Sequence, residues 1–574
     1  KPLRLSPRCG ERPPSRTAAH FSHCGMLRSG STVLKAAQLA PRPSSSGRCF
    51  ATKASQLTSR TAVTQVHSEP KPEALAQWLR YGELSRTDGS IRWGKVNRRY
   101  RPPLQSLESL TALPVDNARG HMSAKHLKDS WSDEEIAEAV RQNVIMTWSN
   151  NSSRLSVPRL VRGEGIYVYD SNGKEYMDLT SMAVCSNMGH SVDEATRSAI
   201  IKQLDELPYA YSGLGMMEVR ARLCSLLADI TPGDINGFLF PLGGSEANEG
   251  AIRIARRYTG KFKVLSAMRS YHGGTTGPLA ATGDFRTRYV GEQPGFVKIF
   301  NPHALRFSTG DSDEAAAARS LHMLEEQILT EGSNTIAAIL LETIVGANGV
   351  FLPPSGYMEG VRALCDKYDI LLVLDEVMCG FWRTGPLFAF QHFRGVVPDI
   401  LTSAKGLTSS FLPLGMIGMR QKIKDHFEEY PLGWGATYAN HPVPLACAYE
   451  VVRRNCRENM EKKVERIEDI MLEEIDCLIR KHRCVLQGRA IGAFGCLDLV
   501  NAEGQPLNLL GDALPPEALL VRRSMAERGL FGLFRSPLFH ICPPLIIREP
   551  ELREMFKRID GVLSDLDEFL ETSK

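Results

Sequence analysis

The sequence predicts an α/β protein, with a large domain on a mostly parallel sheet joined to a smaller α+β domain. Three observations carry this. Short, wholly apolar runs at residues 336–341 and 370–374 have the character of strands buried on both faces. Strands at residues 262–268, 296–300, 336–342 and 370–374 alternate with helical spacing at 315–329 and 355–368, the pattern of parallel strands covered by helices. From about Leu445 the alternation stops, giving way to long amphipathic helices and then strands at residues 492–500 and 539–542.

The 574 residues, 43% hydrophobic and 23% charged, provide for a large core and more than one domain. A net charge of +4 is small for this length and concentrated at the N-terminus, so no nucleic-acid partner is expected. The 13 cysteines form no C-x-x-C pair and no His/Cys cluster at metal spacing; they read as mostly buried, reduced thiols of an intracellular protein, with no metal. Nor is there an apolar run long enough for a bilayer, since IAAILLETIV is broken by Glu342.

In chain order, residues 1–60 are rich in Arg and Ser with Glu11 as the only acid, the composition of a transit peptide, and Arg48 to Thr52 reads as a processing neighbourhood. The expected address is the mitochondrion, with the plastid as alternative. Residues 61–125 read as a linker or poorly ordered extension with a short helix at 72–80, and Trp93 to Tyr100 as a surface segment. Residues 126–190 form an N-terminal segment of the smaller domain. Ser132-Asp133-Glu134-Glu135 starts a helix there, Met146-Thr147-Trp148 opens a loop, and residues 165–179 make a hairpin turned by Ser171-Asn172-Gly173. Met182 to Cys185 are candidate pocket wall.

Residues 191–444 are the large domain. A strand at Phe238-Leu239-Phe240 runs through Gly243-Gly244-Ser245 into a helix, leaving backbone N–H groups for a phosphate; Ser245 reads equally well as an N-cap. The strand at 370–374 ends in Asp375-Glu376, and the next, at 399–403, runs into Lys405. An aspartate and a lysine at the carboxyl ends of neighbouring parallel strands lie where open α/β sheets place ligands. Pyridoxal 5'-phosphate (PLP) needs a lysine for its aldehyde and a carboxylate for its ring nitrogen. Strand pattern alone leaves open a capping Asp375 and a solvated Lys405.

The wording of this segment narrows the choice. Asp375-Glu376-Val377, Gly380-Phe381, Arg383-Thr384-Gly385, Pro398-Asp399-Ile400, Ala404-Lys405-Gly406-Leu407 and Pro413-Leu414-Gly415 together resemble the signature of the class III aminotransferases, PLP-dependent enzymes of fold type I. The resemblance runs from Trp131 to the C-terminus, taking in the smaller C-terminal domain at 445–574. It implies a ping-pong transamination in which Lys405 holds the cofactor and moves the proton, and Asp375 keeps the ring nitrogen charged. It also implies Gly244 and Ser245 at the phosphate, Tyr271 stacked on the ring with His272 beside it, and Val377 as a further cofactor contact. Glu342 supports the cofactor site or gates a substrate carboxylate. Thr437 reaches the phosphate of a neighbouring subunit, which implies a homodimer. Trp148 and Arg535 fall on the substrate side, with a surface salt bridge as the alternative for Arg535. Thr343, Cys379 and Trp382 depart from the family pattern, which has Pro, Thr or Ser, and Gly there.

Short segments around Trp148, Tyr271 and Thr282-Gly283-Asp284 resemble the ω-amine:pyruvate branch that includes taurine and β-alanine aminotransferases. The expected substrates are a small amine and a 2-oxo acid such as pyruvate or 2-oxoglutarate. Aminotransferases of 4-aminobutyrate, ornithine or diaminopelargonate, and an aminomutase of the same fold, are the alternatives.

Overall fold

The computed structural model describes residues 124–574, apart from 290, 292, 303–311, 508–513 and 573–574, together with two short strands before them. Those strands, β1 (Ser85–Thr87) and β2 (Ser90–Arg92), pair antiparallel within the stretch read as linker. The expected transit segment and the helix at 72–80 lie outside the described residues.

The first α-helix among the described residues, Asp133–Asn143, starts where its cap was expected. Ser132 Oγ accepts from the Glu135 backbone, and Glu135 reaches back to the Ser132 N–H, so two of the orphan donors of a helix start are satisfied reciprocally. Strands β3 (Leu160–Glu164), β4 (Tyr167–Asp170) and β5 (Glu175–Asp178) follow as an antiparallel sheet. The β4–β5 hairpin turns on Gly173 at φ +79°, a conformation glycine takes without penalty. Asp170 secures the turn by accepting from the Asn172 and Lys174 N–H groups.

The central sheet contains β6 (Ile235–Leu239), β7 (Lys263–Ala267), β8 (Phe296–Ile299), β9 (Ile336–Glu342), β10 (Leu371–Asp375), β11 (Ile400–Ser403) and β12 (Met416–Arg420). Their order is β6-β12-β11-β10-β9-β7-β8, and only β12 runs against the others. Every residue of β9, β10 and β11 is buried, because helices cover both faces. Alternation sorts the side chains: Ala338, Leu340, Leu371 and Val373 join one core with Ala247, Ala251 and Ile254 of helix Gly244–Thr259. Ile339, Leu341, Leu372 and Leu374 face the other core, with Val361 and Cys365 of helix Tyr357–Tyr368.

Beyond helices Pro442–Arg457 and Met460–Lys481 come β13 (Val485–Ile491), β14 (Phe494–Leu499), β15 (Leu530–Phe531), β16 (Phe534–Arg535), β17 (Leu538–Ile541) and the long helix Glu549–Thr572. Strands β13, β14, β17 and β16 make an antiparallel sheet, while β15 pairs parallel to β5 and so joins the C-terminal part of the chain to the β3–β5 sheet. His482, Cys484 and Asp567 place their ligand-type atoms within 4.8 Å of one another. Both His482 nitrogens are already engaged, by Asp567 at 2.9 Å and Asp560 at 3.0 Å, so the cluster clamps β13 to the last helix. The described cysteines are free thiols, and no described helix is long and apolar enough to cross a membrane.

Arg383 is the largest fully buried side chain among the described residues and joins three distant segments. It donates to Asn187 Oδ1 (2.6 Å), Ser181 Oγ (3.2 Å), the Ala493 carbonyl (2.9 Å) and the Pro543 carbonyl (2.6 Å), while burial pulls its pKa down to about 10. Arg383→Met would leave these acceptors buried without a donor, at roughly 1–3 kcal/mol for each that finds no replacement. A loss of at least about 3 kcal/mol in guanidinium unfolding is expected; a loss below about 1 kcal/mol would show that the guanidinium is not a structural tie.

Candidate active site

Sheet register brings the predicted acids together. Asp375, the last residue of β10, pairs with Glu342 at the end of β9 on one side and Thr402 of β11 on the other. Lys405 follows three residues after Thr402, at the same edge.

Asp375 is only 3% exposed and held from three directions. Its Oδ2 accepts from Asn248 Nδ2 at 2.7 Å and meets His272 Nδ1 at 2.8 Å; its Oδ1 accepts from the Val377 N–H at 3.0 Å. Asn248 in turn donates to the His272 carbonyl and accepts from Thr402 Oγ1, so one amide on helix Gly244–Thr259 fixes both partners of the acid. That direct grip on Asp375 has no sequence signal, because the two residues are 127 positions apart.

Glu342 is buried at the same level. Its oxygens accept from the Tyr271 N–H (2.9 Å) and the Gly346 N–H (2.8 Å), and burial pushes its carboxyl up to about 7, against the pull of His272 and with a further push from Asp375. Of the two roles left open by the sequence, this geometry matches support of the Tyr271 loop. A gate would need an oxygen able to let go, and both are tied to backbone.

The phosphate-type turn departs from the capping alternative. Gly243 is the N-cap and offers no side-chain acceptor, so the helix starts with its backbone donors uncapped. Ser245 sits inside the first turn, its Oγ accepting from the Gly274 and Thr275 N–H groups at 3.0 Å each. A Cβ on Gly244 would come within 2.8 Å of Val377, and one on Gly273, at φ +142°, within 2.3 Å of Ser245 Oγ. Three loops therefore close on one another only because two glycines stand there.

Lys405 has φ +42°, a strained value for a residue with a side chain, and its half-buried side chain makes no hydrogen bond or ion pair with the described residues. Most of the expected pocket wall is strained too: Met182, Ala183 and Val184 have positive φ (49°, 65° and 63°), as does Ser181 just before them (48°), whereas Cys185 does not. A left-handed turn of four such residues costs roughly 1–2 kcal/mol each and carries no glycine to announce it.

Tyr271 is half-buried, with the Trp148 ring edge-on at 6.1 Å although Trp148 is 71% exposed. Arg286, which sequence reading missed, lies 4.1 Å from the Tyr271 ring centre. Arg535 is no surface residue: its side chain is 12% exposed, donates to the Ala347 carbonyl at 2.7 Å and lies 3.6 Å from Asp284. Thr437 is the predicted contact that one chain leaves outside the cluster. It sits exposed in a turn, its carbonyl accepting from Tyr209 Oη, while nearby Asn440 anchors that turn to Phe240 at the end of β6.

Two departures from the family pattern meet at one buried acid. Thr343 Oγ1 donates to Glu376 Oε1 at 2.8 Å and Cys379 Sγ lies 3.4 Å from Glu376 Oε2, alongside the Ala389 and Phe390 N–H groups. Burial still pushes the Glu376 carboxyl from 4.5 up to about 7. A folded pKa above the unfolded one means that the stability from this group is full below about 4.5 and is lost as pH rises through about 7. Thr343→Val, which removes a donor, should therefore cost about 1 kcal/mol near pH 5.5 and about 2–3 kcal/mol near pH 8, where the carboxylate is ionised. Guanidinium unfolding at both pH values checks this; a cost independent of pH would contradict it.

A sequence profile described as aminotransferase class-III matches residues 148–563. The chain belongs to this family. Among its relatives, a taurine–pyruvate aminotransferase of Bilophila wadsworthia is 31% identical over 435 residues, covering 71% of this chain and 92% of that one. A putrescine–pyruvate aminotransferase of Pseudomonas aeruginosa is 30% identical over 406 residues, 69% of this chain and 88% of the relative. A solved taurine:2-oxoglutarate aminotransferase from Bifidobacterium kashiwanohense, in complex with PLP and glutamate, superposes with a TM-score of 0.73 at 37% identity, over 77% of this chain and all of that one. This class III aminotransferase is accordingly a PLP-dependent transaminase of fold type I that moves an amino group from an amine to a 2-oxo acid. Its own residues fit the cofactor. Gly243 gives the helix start no side-chain cap beside Ser245, Asp375 Oδ1 accepts one backbone donor, and two residues past the adjoining strand stands a lysine with no hydrogen-bond or ion-pair partner among the described residues.

Proposed function

We propose that this aminotransferase takes its amino group from an ω-amine of the taurine or β-alanine kind and passes it to pyruvate or 2-oxoglutarate. Bound PLP supplies an aldehyde that amines capture and a ring that accepts electron density. Lys405 would hold the cofactor through its amine and, when free, would be the base that takes the proton from the donor's amine-bearing carbon and gives it back. Asp375, oriented by Asn248 and His272, keeps a proton at the ring nitrogen. Tyr271 would bound the ring on one side, and the Trp148 ring stands edge-on to Tyr271 at 6.1 Å. Gly244, Ser245 and the N–H groups after them take the phosphate. Thr437, exposed and outside the single-chain cluster, serves the phosphate of a second copy, so the working unit is a homodimer. The basic, acid-poor first sixty residues support delivery to the mitochondrion.

The chemistry is favoured by an oriented, buried Asp375 beside a Lys405 with no hydrogen-bond or ion-pair partner among the described residues, and the donor class by likeness to taurine–pyruvate and putrescine–pyruvate aminotransferases. A half-reaction screen tests it. Mixing the cofactor-loaded enzyme with taurine, β-alanine, putrescine or 4-aminobutyrate should bleach its visible absorption, and pyruvate or 2-oxoglutarate should restore it. No bleaching by any ω-amine removes the branch, and product formed without an added 2-oxo acid indicates an aminomutase. Sedimentation of the wild type as a monomer would refute the dimer.

A further inference from the structure

The turn that carries Lys405 is strained at three residues and fastened at two points to the segment that follows the expected pocket wall. Lys405, Ser409 and Ser410 have φ of +42°, +52° and +55°, although none is glycine. Within the turn, the Lys405 carbonyl accepts from the Thr408 N–H at 3.3 Å and the Ser410 N–H at 3.1 Å, which fixes its shape but not its place. Its place is set against Asn187 and Met188. Ser409, 1% exposed, offers Oγ to the buried Met188 N–H at 2.8 Å. Gly406 makes room for the Asn187 amide, since a Cβ there would collide with Asn187 Nδ2. Asn187 is itself held on three sides: it donates to the Phe381 carbonyl, accepts from Arg383 through Oδ1, and its carbonyl takes the Leu545 N–H. Back along the chain, the Cys185 and Ser186 N–H groups both return to the Ser181 carbonyl, at 2.7 and 2.8 Å, so the left-handed turn at 181–184 and Met188 form one unit.

We propose that Ser409 is a positioning residue for the proton transfer, its hydroxyl setting the distance between the Lys405 turn and the wall at Met182 to Cys185. The inference rests on the reading of Lys405 as the base that moves the proton. Left-handed residues other than glycine do not hold their shape by preference, so the turn depends on its outward bonds. Loss of Oγ leaves the Met188 N–H buried without an acceptor, and turn and wall part until another group supplies one. A lysine that must take a proton from one carbon and give it back tolerates little of this, because a displacement of about 1 Å costs on the order of 100-fold in rate. Binding of the donor depends much less on that distance.

The test compares wild type, Ser409→Ala and Ser409→Gly, all cofactor-loaded. In single turnovers with β-alanine, both variants should bleach the visible absorption about 10- to 100-fold more slowly than wild type, with the apparent dissociation constant within about twofold. Deuterium on the amine-bearing carbon should slow the variants by a larger factor than wild type, since the misplaced proton transfer then limits the rate. Borohydride should still fix the cofactor to Lys405 in both. Glycine accepts the positive φ that alanine resists, so Ser409→Gly should melt higher than Ser409→Ala yet react as slowly. A rate that recovers with stability in Ser409→Gly would show a merely structural serine and overturn the proposal. Bleaching by Ser409→Ala within about twofold of wild type, or a loss confined to donor affinity, would overturn it too. Should no ω-amine bleach the wild type, the donor reading fails. The same rate ratios are then read in the return half-reaction, in which enzyme carrying the amine form of the cofactor meets pyruvate or 2-oxoglutarate and the proton moves in reverse. Inertness of the wild type in both directions would remove the role of Lys405 and this proposal with it. If Ser409→Ala does not fold, Ser409→Cys, a weaker acceptor of the same shape, takes its place and should react at a rate between wild type and Ser409→Gly.

Discussion

Lys405→Ala is expected to lower transamination by at least about 10²–10⁴-fold, the usual contribution of one positioned proton-transfer group, with loss of the covalent hold on the cofactor adding to this. The reasoning starts from the backbone. Lys405 stands at φ +42° directly after β11, and such strain persists only where the surrounding structure enforces it. Its side chain makes no hydrogen bond or ion pair among the described residues, so its amine is left available at the sheet edge that carries Asp375. Two readouts separate function from fold. Borohydride should fix the cofactor on the wild type and add its mass to the peptide containing Lys405, and should add nothing to the variant. Lys405→Gly should be as inactive as Lys405→Ala but about 1 kcal/mol more stable, because glycine adopts positive φ without penalty. Residual turnover within tenfold of wild type, or borohydride labelling of another lysine, would sink the assignment.

How much of this was legible depended on how local the determining physics is. β9 is read residue for residue from Ile336 to Glu342 because a strand buried on both faces must be apolar throughout, and Glu342 marks where the sheet ends. The start of helix Gly244–Thr259 and the Ser132 cap were visible because a helix terminus is set by residues close in sequence. β12 escaped notice: Met416–Arg420 is short, contains a glycine and follows the Pro413-Leu414-Gly415 turn, and only its antiparallel pairing with β11 and β6 makes it a strand. The same holds at the site. Asp375, Lys405, Ser245 and Tyr271 sit in motifs, whereas Asn248 on Asp375, Arg286 on Tyr271 and Thr343 with Cys379 on Glu376 exist only once the chain has folded. The left-handed turn at Ser181–Val184 is the extreme case, since its residues favour another conformation and tertiary contacts impose this one. One of those contacts is Ser181 Oγ donating to the Cys542 carbonyl at 2.7 Å.

Asp375→Asn should be the second most damaging change, lowering kcat about 10²–10³-fold while costing about 1–3 kcal/mol of stability. The stability term follows from the donors around Oδ2. An amide nitrogen there would face Asn248 Nδ2 at 2.7 Å, donor against donor. Asn248 has no relief in turning over, since it would lose both its bond to the His272 carbonyl and the one it accepts from Thr402. The catalytic term follows from charge: an amide cannot hold a proton on the cofactor's ring nitrogen, so the ring loses most of its capacity to take up electrons as the donor's proton leaves. These effects separate when the variant is loaded with PLP methylated at its ring nitrogen, which carries the positive charge without needing an acid. Under the proposed role, the methylated cofactor should recover at least about tenfold of the lost kcat in Asp375→Asn, leave its melting temperature unchanged, and give the wild type no gain. Recovery of neither activity nor stability would mean that Asp375 acts only by holding Asn248 and His272 together, and Asn248→Ala would then be as inactive as Asp375→Asn.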